Sequence, residues 1–85
     1  MENKLSVEHI EAVIVGEEYY NPSLKPSHTI CILKLANGFT TTGESAPVEP
    51  ANYDAELGKK IARDRAVSKV WELEGYVLRN SLNKS

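Results

Sequence analysis

Residues 29–36, Thr-Ile-Cys-Ile-Leu-Lys-Leu-Ala, carry apolar side chains on both faces and run straight into Asn37-Gly38. The β-branched and aliphatic content reads as a strand. Asn-Gly reads as its end, because a two-residue type I′ turn needs positive φ at both central residues. Phe39-Thr40-Thr41-Thr42-Gly43-Glu44-Ser45 is then the returning strand. Such a turn sets Ala36 across from Phe39, Lys34 from Thr41, Leu33 from Thr42 and Ile32 from Gly43. One face would hold Ile30, Ile32 and Phe39, and the other Cys31, Leu33 and Leu35 with Thr40 and Thr42. A strand exposed on one side alternates apolar with polar residues, and this one does not. One helix can roof one face, so the N-terminal segment or a second copy of the chain has to roof the other.

Length sharpens that demand. Eighty-five residues leave room for one domain, 1–85. A folded monomer of 9.4 kDa exposes roughly 5,000 Å² and buries only about 63% of the surface of its unfolded chain. The core is thin, and a homo-oligomer is the expected remedy. Ten basic and twelve acidic residues give a net charge of −2, which argues against nucleic-acid binding. The longest apolar run, Ile30–Leu33, is four residues, far short of a membrane span. One cysteine, Cys31, allows neither an internal disulfide nor a cysteine metal site. No apolar run follows Met1-Glu2-Asn3-Lys4-Leu5 to make a signal peptide, so the expected location is the cytosol.

Ser6, with Glu8 and Glu11 behind it, predicts a short helix over about 6–12. Val13-Ile14-Val15 and Tyr19-Tyr20 predict a strand over 13–20, with Gly16 marking a bulge. Asn21–Ser27 holds two prolines and two serines and reads as a loop. Pro50 can start a helical turn, and Asp54 is a second N-cap. Leu57, Ile61, Ala62, Ala66, Val70, Trp71, Val77 and Leu78 recur at three- and four-residue steps and predict a helix to about Leu78. Gly58 suggests close packing, Gly75 a bend or cap, and the polar tail from Asn80 to Ser85 is expected to fray. The fold class is therefore α+β: a short N-terminal helix, a three-stranded antiparallel sheet and one long C-terminal helix packed on it.

Catalytic patterns are missing. His9 and His28 fall in different elements without metal-ligand spacing. Cys31 sits among aliphatic residues, where a thiol serves as filler. Gly43-Glu44-Ser45-Ala46 lacks the second glycine of a nucleophile elbow, and no glycine-rich phosphate loop occurs. No enzyme activity, metal or cofactor is expected. The binding candidates are Lys59 and Arg63, four apart on one helix face and able to hold a phosphate. Glu56 and Asp64 lie near enough to turn that face into ordinary surface ion pairs. Thr40 and Thr42 would supply hydroxyls, and Phe39 and Tyr53 flat surfaces for a base.

The runs Asn37-Gly38-Phe39 to Gly43-Glu44-Ser45-Ala46, Pro50-Ala51-Asn52-Tyr53-Asp54, Leu57-Gly58-Lys59-Lys60-Ile61-Ala62-Arg63 and Trp71-Glu72-Leu73-Glu74-Gly75-Tyr76 resemble a family of small tailed-phage proteins. Its pattern is N-G-F-x-x-x-G-E-S-A, P-x-N-[FY]-D, I-G-x-K-I-A-R and W-x-L-E-G-Y. Leu57 and Pro47 stand where isoleucine and a small residue such as cysteine would be expected. The likeness covers about 28–78 and brings no catalytic residues with it. In architecture the chain also resembles the phage sponges that sequester the cyclic ADP-ribose-type signal of Thoeris defence, which form ring-like assemblies with pockets between subunits. These resemblances imply a phage accessory protein that sequesters a small cyclic nucleotide immune signal in inter-subunit pockets, through Phe39, Thr40, Thr42, Tyr53, Lys59 and Arg63. The alternative is a protein-interaction module that docks on and inhibits a host protein.

Overall fold

The computed structural model describes residues 5–83. The Ser6 hydroxyl accepts the His9 N–H at 3.1 Å and starts α1 (Val7–Val13), satisfying one of the donors a helix start leaves open. No linker follows. The β-branched residues Ile14 and Val15 turn the chain directly into β1 (Ile14–Tyr20). Next come β2 (Thr29–Leu35), β3 (Thr40–Ser45), a 3₁₀ turn at Pro50–Asn52 and α2 (Ala55–Leu82). The Asp54 carboxylate caps α2, accepting from the N–H groups of Glu56 and Leu57 at 3.1 and 3.2 Å. The sheet is antiparallel with β2 in the middle, and a bulge interrupts β1 between Ile14 and Gly16. The α+β architecture and the helix starts agree with the sequence reading.

The hairpin register does not. Leu33 pairs with Thr41, Ile32 with Thr42 and Cys31 with Gly43, one residue away from the expected pairing. The turn holds three residues instead of two. The Gly38 N–H donates to Leu35 C=O at 2.8 Å, and the Leu35 N–H donates to Phe39 C=O at 2.8 Å. Gly38, at φ 92°, is the only described residue with positive φ, so Asn37 does not adopt the type I′ geometry. Its Oδ1 accepts the Phe39 N–H at 3.0 Å instead. A one-residue slip turns every β3 side chain over. Thr41, Gly43 and Ser45 face inward, while Thr40, Thr42 and Glu44 face outward.

The core lies between the sheet and the helices. Ile10, Cys31, Leu33, Leu35, Ala62, Ala66 and Val70 are buried, and Trp71, Val67 and Tyr19 pack at their margin. Both helices lie on this one side, so α1 does not roof the outer face; there Ile30 and Ile32 of β2 are half-buried. The approach of α2 to β3 is very close. A Cβ added at Gly43 would come within 2.2 Å of the Ala62 carbonyl oxygen and 2.3 Å of the Ala66 nitrogen. The inward hydroxyls complete the seam: Thr41 Oγ1 donates to Ala66 C=O at 3.1 Å and Ser45 Oγ to Gly58 C=O at 2.8 Å. Gly58 fits because a Cβ there would press on Thr29 Oγ1 at 3.0 Å.

Helix α2 outruns the sheet. Its 28 residues span about 42 Å at 1.5 Å per residue, against about 23 Å for the seven residues of β2. The radius of gyration is 15.4 Å, where a compact chain of this length would have about 12 Å. The exposed surface, 6121 Å², exceeds the roughly 5,000 Å² expected of a compact monomer. The helix continues without interruption through Gly75 and ends at Leu82 with Asn83 as its C-cap. Neither the expected stop near Leu78 nor a cap at Gly75 occurs, and Asn80–Leu82 are helical. Lys84 and Ser85, the end of the expected frayed tail, lie outside the described residues.

The two glycines should therefore respond oppositely to alanine. Gly43→Ala forces α2 off β3 and should lower stability by about 3 kcal/mol. A Cβ at Gly75 meets nothing within 4 Å, so Gly75→Ala should raise stability by about 0.5–1 kcal/mol. Urea unfolding followed by circular dichroism measures both. Equal effects would contradict the close-docking account.

Candidate functional site

The six binding candidates fall into three separate places. The first is an open cleft of about 320 Å³ along the free edge of β3, lined by Phe39, Thr40, Thr41, Thr42, Lys69, Glu72 and Leu73. The three-residue turn leaves Phe39 at the strand entrance, 57% exposed, and the shifted register turns Thr40 and Thr42 out of the core. Thr41 is committed to Ala66. Lys69 and Glu72 project from the next turns of α2. The sequence reading missed both as lining residues, because only the docking of α2 on the sheet brings them to the β3 edge. Their three-residue spacing beside Leu73 is the only trace they leave in the sequence.

The second place is structural in character. The Arg63 guanidinium donates to both carboxylate oxygens of Glu11, at 2.8 and 3.2 Å, and through Nε to Glu17 at 3.0 Å. It thus ties α2 to both α1 and β1. The Tyr19 hydroxyl donates to the other Glu17 oxygen at 2.9 Å. Lys59 Nζ sits 5.6 Å from the centroid of the Tyr19 ring, within cation–π range. Hydrogen bonds from Arg63 hold the Glu11 and Glu17 carboxyls below their ordinary range, and the same bonds raise the Arg63 pKa. Burial, then the bond to Glu17, raises the Tyr19 phenol, and burial raises the Cys31 thiol. The fork expected for a phosphate is therefore taken up by two carboxylates of its own chain.

The third place holds Tyr53, at the start of α2, beside a cavity of about 140 Å³ lined by residues that include Ser45, Pro47, Leu57, Ile61 and Arg65. The Tyr53 hydroxyl accepts from Asn21 Nδ2 at 3.3 Å, and Arg65 donates to Glu44 C=O at 2.8 Å. Both groups brace the fold. Lys60 pairs with Asp64 at 3.2 Å, as the surface-pair reading of that helix face expects. His9 and His28 each meet one carboxylate, Glu74 and Glu44, at 2.8 Å. Among the described residues no group of three or more His, Cys, Asp or Glu could hold a metal ion, and no helix is long and apolar enough to cross a membrane.

A family model described as Phage protein (N4 Gp49/phage Sf6 gene 66) family matches residues 5–82 of the chain. No curated protein and no solved structure matches it.

The Arg63 network should show itself in acid. Both carboxyls titrate below their ordinary value of 4.5 in the folded protein, so the unfolded chain binds their protons first. The stabilisation is complete above that value and is lost as pH falls through the lower folded values. At neutral pH, Arg63→Met, which keeps an apolar stem, should cost about 1 kcal/mol after solvent screening. The difference from the wild type should shrink as pH falls below 4.5 and through the lowered folded values. Thermal melts across that range test it, and a gap that persists at the acid end would separate the loss from the carboxylates.

Proposed function

The chain belongs to the Phage protein (N4 Gp49/phage Sf6 gene 66) family, and from that premise we propose that it is a non-catalytic phage accessory protein that captures a small nucleotide-type signal in the host cytosol. One observation carries this reading. Phe39, Thr40, Thr42 and Lys69 line a single open cleft at the β3 edge, which brings an aromatic plane, two threonines and a cation to one rim. An exposed aromatic plane can stack on a base. Hydroxyls can bond ribose or phosphate oxygens, and an ammonium can neutralise a phosphate. Capture works by mass action: each occupied cleft removes one signal molecule from the pool that host immunity reads. In this form the reading rests on Lys69 as the cation, in place of Lys59 and Arg63.

A second reading, docking on and inhibiting a host protein, is favoured by a different observation. Leu73, Tyr76 and Val77 stay exposed along the second half of α2, and exposed apolar residues grouped on one element often mark contact surfaces.

Titration calorimetry against cyclic dinucleotides, cyclic ADP-ribose isomers and ADP-ribose distinguishes the two. Capture predicts saturable heat, with affinity reduced about tenfold or more in Lys69→Ala and in Phe39→Ala, which corresponds to about 1.4 kcal/mol each. Absence of heat across the panel ends the capture reading. A stoichiometric host protein recovered from lysate by the wild type and not by Tyr76→Ala would establish docking.

A further inference from the structure

We infer that the overhanging part of α2 pairs with the same segment of a second copy, antiparallel, about a two-fold axis passing at Tyr76. This names a seam for the self-association that the thin core calls for, and it does not depend on what the β3-edge cleft binds.

Tyr76 is 69% exposed in the middle of the overhang. Glu72 lies four residues before it and Arg79 three after, so all three share one helix face. Along the axis those offsets are about 6 Å and 4.5 Å in opposite directions. Reversing a second helix about Tyr76 therefore brings Glu72 of one copy level with Arg79 of the other to within about 1.5 Å, twice over by symmetry. Among the described residues neither Glu72 nor Arg79 has an ion-pair partner within its own chain. A parallel arrangement would instead set Glu72 against Glu72 and Arg79 against Arg79. Charge complementarity thus selects a second copy as occupant and fixes its direction, as an isologous contact requires. Leu73, one turn before Tyr76, adds apolar area to the seam.

The contact completes a site. Glu72 also lines the β3-edge cleft beside Lys69, where its charge opposes any anion. The partner's Arg79 would neutralise it and place a second cation at the rim. Three helical turns are fewer than a standard interface of about 800 Å² per partner uses, so the dimer should be a weak one that forms only as concentration rises.

Sedimentation over a concentration series tests the seam, with circular dichroism confirming that each variant is folded. The wild type should pass from monomer to dimer with rising concentration. Glu72→Arg and Arg79→Glu should each weaken the dimer at least tenfold by setting like charges together. The double exchange, Glu72→Arg with Arg79→Glu, should restore it. A wild type that stays monomeric up to about 0.5 mM, a dimer indifferent to either single exchange, or a double variant no better than the singles would overturn the assignment. Calorimetry on Arg79→Glu, which leaves the cleft's own lining intact, reports cleft binding apart from the dimer, so loss of the dimer and loss of the ligand can be told apart.

Discussion

Everything in this fold hangs on the contact between β3 and α2 at Gly43. There the strand meets the helix backbone itself, at the Ala62 carbonyl and the Ala66 amide. Ordinary helix-on-sheet packing interposes side chains. Here the helix contributes Gly58, Ala62 and Ala66, and the strand contributes a glycine between two inward hydroxyls. The hydroxyls bond helix carbonyls, so the polar groups buried by such proximity keep partners. The apolar residues that fill the layer come mainly from β2 and from Ile10 of α1. A thin core thus gains close packing where it lacks bulk.

From that seam the remaining parts take their places. Arg63 leaves α2 on the flank away from β3 and fastens α1 and β1. On the β3 flank, the same helix presents Lys69 and Glu72 to the strand edge. The two flanks divide the labour: one closes the fold, and the other stays open to solvent. This division explains why a basic helix face that looks uniform in sequence holds one cation locked by carboxylates and another beside a cleft.

Much of the architecture was legible in the sequence because its signals are local. Ser6, Asp54 and Pro50 announce helix starts within three residues, and Gly16 announces the bulge. The strand register was harder. Asn37-Gly38 is compatible with two turn geometries that differ by one residue, and the choice falls to Asn37, whose side chain bonds Phe39 instead of letting its backbone adopt positive φ. That turn reverses which threonines face outward, although Thr40, Thr41 and Thr42 all line the cleft. The Arg63 partners lie 46 and 52 residues away, where no periodicity reaches. Gly58 did signal close packing, but the closer approach at Gly43 left no mark that the sequence reading used.

One small bond described above, from Arg65 to the Glu44 carbonyl, bears on how far copies of this chain can assemble. In the alternating ladder, Glu44 turns its backbone groups away from β2 and toward the open rim of the sheet. A foreign strand seeking to zip along β3 must first evict a guanidinium, and one arriving at β1 meets a bulge and two glutamates. Both rims are thereby guarded against runaway sheet extension.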